Sequence, residues 1–335
     1  MAGTNEKPVD KYTRAYQQSL AMKPQLLLLL FWLTIPPLAS AQTPAELQHL
    51  FDYDHAASLD VQRRLFERDR QSEVYDITFA SPKGGRVPAF LVVPVAKPKG
   101  KYAGIVFGHW GLGNRTEFLA EAKLYAKGGV VSLIIDYPWT RPAQWRKPVF
   151  TPQTTSEQDR DTYIQAVIDL RRAFDLLLSR SDVDPHRLAY VGHSYGAQWG
   201  AILTAIDRRM HTTVLMAGVP SFAAIYRDSK DPGIVELRQQ IGTVALEAHL
   251  KVVGVLDAIN YIKYSSPIPV LFQFARYERN FDEPAMRHYY ESAGEPKEAK
   301  WYSTGHELND PAALKDRAKW LAQQLRLPYG AIVGP

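Results

Sequence analysis

Two apolar runs with strand character, Val74 to Phe79 and Val87 to Val95, flank the turn signal Lys83-Gly84-Gly85 and predict an opening hairpin. The preceding stretch, residues 44–70, is polar with helical spacing and is expected to be helix. Strands and helices then alternate: strand at Ala103 to Gly108, helix at Glu117 to Lys127, strand at Val130 to Asp136, helix at Gln158 to Leu178, strand at Leu188 to Gly192. Such alternation implies a parallel sheet. Inner runs such as Val131-Ser132-Leu133-Ile134-Ile135 are almost continuously apolar, as strands are when helices cover both faces. The alternation breaks at residues 221–265, which carry helical patterns at Val235 to Arg238 and Val244 to Leu256. They lie between strand candidates Thr213 to Met216 and Pro269 to Phe274, and are expected to form an inserted helical cap. Helix, strand and helix close the chain at Glu283 to Ser292, Lys300 to Ser303 and Ala312 to Leu325.

The amino terminus has a different pattern. Leu26 to Ile35 is an apolar run preceded by Lys23 and followed by Pro36-Pro37, then by the small residues Ala39-Ser40-Ala41. A membrane span needs about 18 apolar residues. A shorter run before a small-residue site is the form of a cleaved export signal, so residues 1–41 are expected to be a signal peptide and the mature chain to be residues 42–335, starting at Gln42. Met22 directly before Lys23 suggests that residues 1–21 are an overextended start. The body is expected to be exported to the periplasm or the exterior, without stable membrane insertion after cleavage.

Composition narrows the chemistry. Of 335 residues, 46% are hydrophobic and 22% charged, an ordinary globular balance, and the net charge of +5 is spread without a block of like sign, so nucleic acid is not expected as a partner. There is no cysteine, which excludes disulfides, thiolate metal sites and a cysteine nucleophile. No histidine or carboxylate cluster has metal-ligand spacing, so neither metal nor cofactor is expected.

Gly192-His193-Ser194-Tyr195-Gly196 follows the strand Leu188-Ala189-Tyr190-Val191 and precedes a helix with a small-residue face. A serine flanked by glycines in a sharp strand-to-helix turn is a nucleophile elbow, with its hydroxyl projecting from the sheet end. A serine hydroxyl is a poor nucleophile at neutral pH, so an imidazole must take its proton and a carboxylate must orient that imidazole. In enzymes built round such an elbow the chain order is Ser, then Asp or Glu, then His. Of His211, His249, His288 and His306, only His306 stands in a loop just past the last strand. The carboxylate should follow the strand ending at Phe274, where Glu278 and Asp282 compete. Asp282, before Glu283-Pro284, suits a helix N-cap, which favours Glu278 for the triad. Two backbone N–H groups must hold the developing oxyanion: that of Tyr195, after the nucleophile, and one from the loop Gly108-His109-Trp110-Gly111-Leu112-Gly113, with Trp110 first and Gly111 next. His109 is assigned a loop hydrogen bond, Asp136 a turn, and His193 no proton transfer.

With this elbow, the glycine-containing loop, Glu278 and Gly305-His306, residues 75–330 resemble the α/β-hydrolase superfamily, and within it the dienelactone-hydrolase-related and acetyl-esterase-like branch of secreted bacterial enzymes. The chain departs from that pattern in carrying Ser194 where dienelactone hydrolases have cysteine, His109-Trp110 for the usual His-Gly, and Glu278 for Asp. The resemblance implies an α/β-hydrolase fold, a doubly wound, mostly parallel sheet with a helical cap insertion, and hydrolysis of small-molecule esters through an acyl-enzyme. The competing expectations are a peptidase like the prolyl oligopeptidases but without their propeller, and a binding protein that has lost catalysis.

Overall fold

A computed structural model describes residues 44–97 and 99–333; the expected signal peptide and the Gln42 cleavage point lie outside them. Among the described residues one sheet contains β1 (Gln62–Arg68), β2 (Ser72–Ala80), β3 (Arg86–Pro94), β4 (Tyr102–Gly108), β5 (Val130–Ile135), β6 (Val183–His193), β7 (Thr212–Met216), β8 (Val270–Ala275) and β9 (Lys297–Tyr302). The spatial order is β1-β2-β3-β5-β4-β6-β7-β8-β9. β1, β2, β3 and β5 pair antiparallel in turn, and from β5 to β9 every pairing is parallel. Strands β4, β5, β7 and β8 are buried at every position because helices cover both faces.

The helices are α1 (Pro44–His49), α2 (Leu119–Ala126), α3 (Ser156–Leu178), α4 (Tyr195–Ile206), α5 (Phe222–Tyr226), α6 (Pro232–Ile241), α7 (Thr243–Val253), α8 (Ala258–Ile262), α9 (Glu283–Ser292), α10 (Pro311–Leu325) and α11 (Tyr329–Ile332). They divide the apolar interior in two. Tyr163, Phe174, Trp199 and Tyr289, from α3, α4 and α9, fill one face of the sheet. Tyr125, Ala313, Leu321 and Ile332, from α2, α10 and α11, fill the other. The long α3 begins at a capping box, in which Thr155 accepts from the Gln158 N–H and the Gln158 side chain accepts from the Thr155 N–H. This is the α/β-hydrolase fold.

The expected helix over residues 44–70 is corrected. Only Pro44–His49 is helical, and Gln62–Arg68 adds an edge strand, so the opening hairpin is a three-stranded meander. The reason is that β1 is exposed along nearly its whole length, and an edge strand outside the helix layers needs no two-residue apolar alternation. Backbone pairing holds it, with a bulge between Leu65 and Glu67.

The chain order positions the site. From β4 the sheet grows to one side with β5, then returns to the other side with β6, so the direction of winding reverses at β4. In open α/β sheets a crevice opens at such a reversal beyond the carboxyl ends of the strands. Gly108, ending β4, lies in register with Gly192 of β6, and the loops that follow are thereby adjacent. Between β7 and β8, helices α5 to α8 leave the sheet, with α8 packed on α4 and α7 on α3.

Candidate active site

Ser194 sits between β6 and α4 with φ 55 and ψ −114, a backbone conformation that costs a non-glycine residue on the order of 1–3 kcal/mol. Its N–H donates to the Met216 carbonyl at 2.8 Å, which holds the turn against β7. The flanking glycines are required by close approach: a Cβ on Gly196 would lie 2.1 Å from the Gly108 carbonyl oxygen, and one on Gly192 would lie 2.3 Å from that of Gly196. The elbow is therefore pressed against the β4 loop.

The Ser194 hydroxyl lies 2.8 Å from His306 Nε2, and His306 Nδ1 lies 2.6 Å from Glu278 Oε2. A carboxylate only accepts, so Nδ1 carries the ring proton and Nε2 presents its lone pair to the serine. Adjacent loops after β8 and β9 make the meeting possible: the Tyr277 N–H donates to the Thr304 carbonyl at 3.1 Å, extending the pairing past the strands. The Glu278 side chain is 1% exposed, and its other oxygen accepts the N–H groups of Arg279 and Asn280 at 2.9 and 2.8 Å. Asp282 stands apart and caps α9, its Oδ1 accepting the Ala285 N–H at 2.9 Å.

The oxyanion side differs from expectation. The Tyr195 N–H opens α4, where helix N–H groups lack an intrahelical partner. The Trp110 N–H donates to Glu117 Oε2 at 2.8 Å, so the donor that the sequence reserved for an acyl oxygen is engaged by a carboxylate. Sequence reasoning put Glu117 inside a helix, whereas α2 begins at Leu119 and leaves Glu117 free to fold back. Its other oxygen lies 2.6 Å from His193 Nδ1, and His193 Nε2–H donates to the His306 carbonyl at 2.9 Å. Glu117 and His193 thus tie the β4 loop, the elbow and the His306 loop together. No sequence signal marks this, because the contact spans 76 positions.

His109 is fully buried, and burial pushes its ring down to about 3, leaving it neutral near pH 7. Its Nδ1 donates to the Trp110 carbonyl at 2.6 Å and its Nε2 accepts the Tyr137 N–H at 3.3 Å, so it shapes the loop. Asp136 accepts the Arg115 N–H at 2.8 Å and anchors the far end of the same loop.

A cavity of about 510 Å³ opens at Ser194 and His306, walled by the β4 loop, by Trp139 and Phe150, and by the inserted helices through Ile225, Tyr226, Ile234 and Leu237. The hydroxyls of Tyr195 and Tyr226 meet at 2.6 Å, and burial raises both above the usual tyrosine range, Tyr226 to about 12. Both phenols therefore stay neutral. Among the described residues no group of His, Cys, Asp or Glu could hold a metal ion, and no helix is long and apolar enough to cross a membrane.

The fold is shared with known enzymes. The acetyl xylan esterase from Paenibacillus sp. R4 is 19% identical, with a TM-score of 0.70 over 84% of this chain and 93% of that one. Acetyl xylan esterase 1 from Thermoanaerobacterium sp. JW/SL YS485 is 17% identical, with the same TM-score and coverage. A prolyl endopeptidase is similar at 16% identity and a TM-score of 0.57, over 77% of this chain and 39% of that one. No curated protein matches the chain in sequence. The family model for acetyl xylan esterase (AXE1) matches residues 45–227, more than half of the chain and the segment that carries the β4 loop, the elbow and the first inserted helix. The chain belongs to the acetyl xylan esterase family of carboxylic-ester hydrolases.

Proposed function

We propose that the protein is a secreted serine hydrolase that cleaves carboxylic esters through an acyl-enzyme. The observation that carries this is the unbroken hydrogen-bond chain from Ser194 Oγ through the His306 ring to Glu278, at 2.8 and 2.6 Å. Ser194 Oγ attacks the ester carbonyl while its proton passes to His306 Nε2. Glu278 holds the tautomer that accepts it and stabilises the imidazolium. The oxyanion is received by the Tyr195 N–H and by the β4 loop, through Trp110 sharing its hydrogen or through the adjacent Gly111. The C–O bond then breaks, His306 returns the proton to the departing alcohol, and a water activated the same way releases the acid. Residues 221–265 form the cap that shapes the pocket.

Ser194→Ala should fold and lose ester turnover by several orders of magnitude, since triad enzymes without their nucleophile keep only about 10³–10⁴-fold catalysis over water. A fluorophosphonate probe should label the wild type and not the variant. Equal labelling of both would end the assignment of Ser194, and a folded wild type that takes no label would favour a binding protein. Export rests on Lys23, the apolar run Leu26 to Ile35 and Ala39-Ser40-Ala41. Amino-terminal sequencing from the native host should find Gln42 first.

A further inference from the structure

We propose that the cavity beside Ser194 selects esters carrying a bulky, uncharged aliphatic or aryl group, far larger than an acetyl, in place of acetylated carbohydrate. This rests on the serine-ester mechanism proposed above and adds the substrate class. Size is the first observation. At about 30 Å³ per water-sized group, the cavity of about 510 Å³ holds roughly 17 of them, whereas an acetyl brings about three heavy atoms. Chemistry is the second. The walls contain no Asp, Glu, Lys or Arg, and Trp139, Phe150, Ile225, Ile234 and Leu237 supply apolar surface on several sides.

A sugar ring in this space would bury several hydroxyls against few partners, and each buried hydroxyl without a hydrogen bond weakens binding. Besides Ser194 and His306 the side-chain oxygens on the walls are those of Thr151, Asn280 and three tyrosines, and the hydroxyls of Tyr195 and Tyr226 each spend one hydrogen bond on the other. Polar lining is not beyond the chain: past Pro148 lies a separate cleft of about 730 Å³ with Lys83, Arg146, Lys147, Gln153 and Gln158 on its walls. That cleft does not include Ser194. Ser194 opens instead on the cavity whose walls carry no charged side chain.

The apolar group can sit on the acid or on the alcohol side of the ester, and two substrate series separate these sources. The first compares methyl acetate with methyl hexanoate, the second methyl acetate with benzyl acetate, both followed by pH-stat, with acetylated xylo-oligosaccharides alongside. One buried methylene favours binding by about fourfold, so four more give up to about 200-fold. The expected result is a kcat/KM at least tenfold above methyl acetate for the bulky member of one series. Leu237→Trp, on the half-buried face of α6, should reduce that preference at least fivefold, and Ile234→Phe reads the same wall if the first variant does not fold. Flat or falling kcat/KM in both series, acetylated oligosaccharide as the best substrate, or folded wall variants with unchanged preference would each overturn the proposal while leaving ester hydrolysis intact. A wild type that hydrolyses no ester and takes no fluorophosphonate would instead overturn the mechanism beneath it.

Discussion

Glu278→Gln tests the site through a change of one atom. Glu278 uses its oxygens differently: Oε1 accepts two backbone N–H groups, and Oε2 accepts the His306 Nδ1 proton. Glutamine has one acceptor and one donor end. Its oxygen stays with the Arg279 and Asn280 N–H groups, two donors that an NH₂ cannot satisfy, so its NH₂ faces Nδ1. A donor there requires a lone pair on Nδ1 and moves the ring proton to Nε2, which then points an N–H at Ser194. The base can no longer accept the serine proton. Loss of the carboxylate in the best-studied triad costs about 10⁴-fold in kcat. At about 1.36 kcal/mol per decade that is roughly 5.5 kcal/mol of transition-state stabilisation. Stability should change by no more than about 1 kcal/mol, since shape and the backbone hydrogen bonds are kept. The control is Asp282→Asn, because Asn caps a helix about as well as Asp and should leave both turnover and Tm near wild type. Initial rates on a p-nitrophenyl ester and thermal melts of both variants decide the matter. A folded Glu278→Gln variant within tenfold of wild type, or collapse in Asp282→Asn, would refute the tautomer argument.

Two further predictions concern the frame around the site. Arg141 and Asp169 form an ion pair with both side chains fully buried, just after the Trp139 turn of the cavity wall; Arg141→Leu leaves Asp169 unpaired and should cost about 3–5 kcal/mol by urea denaturation, much of it recovered when Asp169→Leu is added. A loss under about 1 kcal/mol would show that Ser81, which donates to Asp169 at 2.6 Å, suffices alone. Asp257, which accepts the Phe222 N–H at the base of α5, is pushed up to about 7 by burial. Its folded value thus exceeds the unfolded one of about 3.9, so the folded state holds a proton that the unfolded chain releases between about pH 4 and 7. Stability from this group is present below that window and falls as pH rises through it, by up to about 1.4 kcal/mol per unit. Asp257→Asn removes the dependence, and its advantage over wild type in melts should grow from pH 4 to 7 and then level off; a constant difference would show that Asp257 titrates normally.

Local sequence determined the parts of this protein that depend on neighbours along the chain. Apolar runs such as β5 identify themselves because both faces are covered, and Gly192 to Gly196 announces the elbow because no side chain fits where Gly196 meets Gly108. Chain order and turn chemistry likewise singled out His306 in a loop after the last strand and separated a capping Asp282 from Glu278. Only the tertiary structure decided which groups touch. The parallel pairing of β8 with β9 brings Glu278 to His306 across 28 positions, and the reversal at β4 brings Trp110 beside the elbow. Glu117 was hidden for the same reason: its role follows from where α2 begins and from a partner on β6, neither of which leaves a periodic trace. β1 was misread because an exposed edge strand is held by backbone hydrogen bonds, which any side chain permits. Patterns record burial, and burial is local enough to read; contacts between distant loops depend on a sheet order that no single segment encodes.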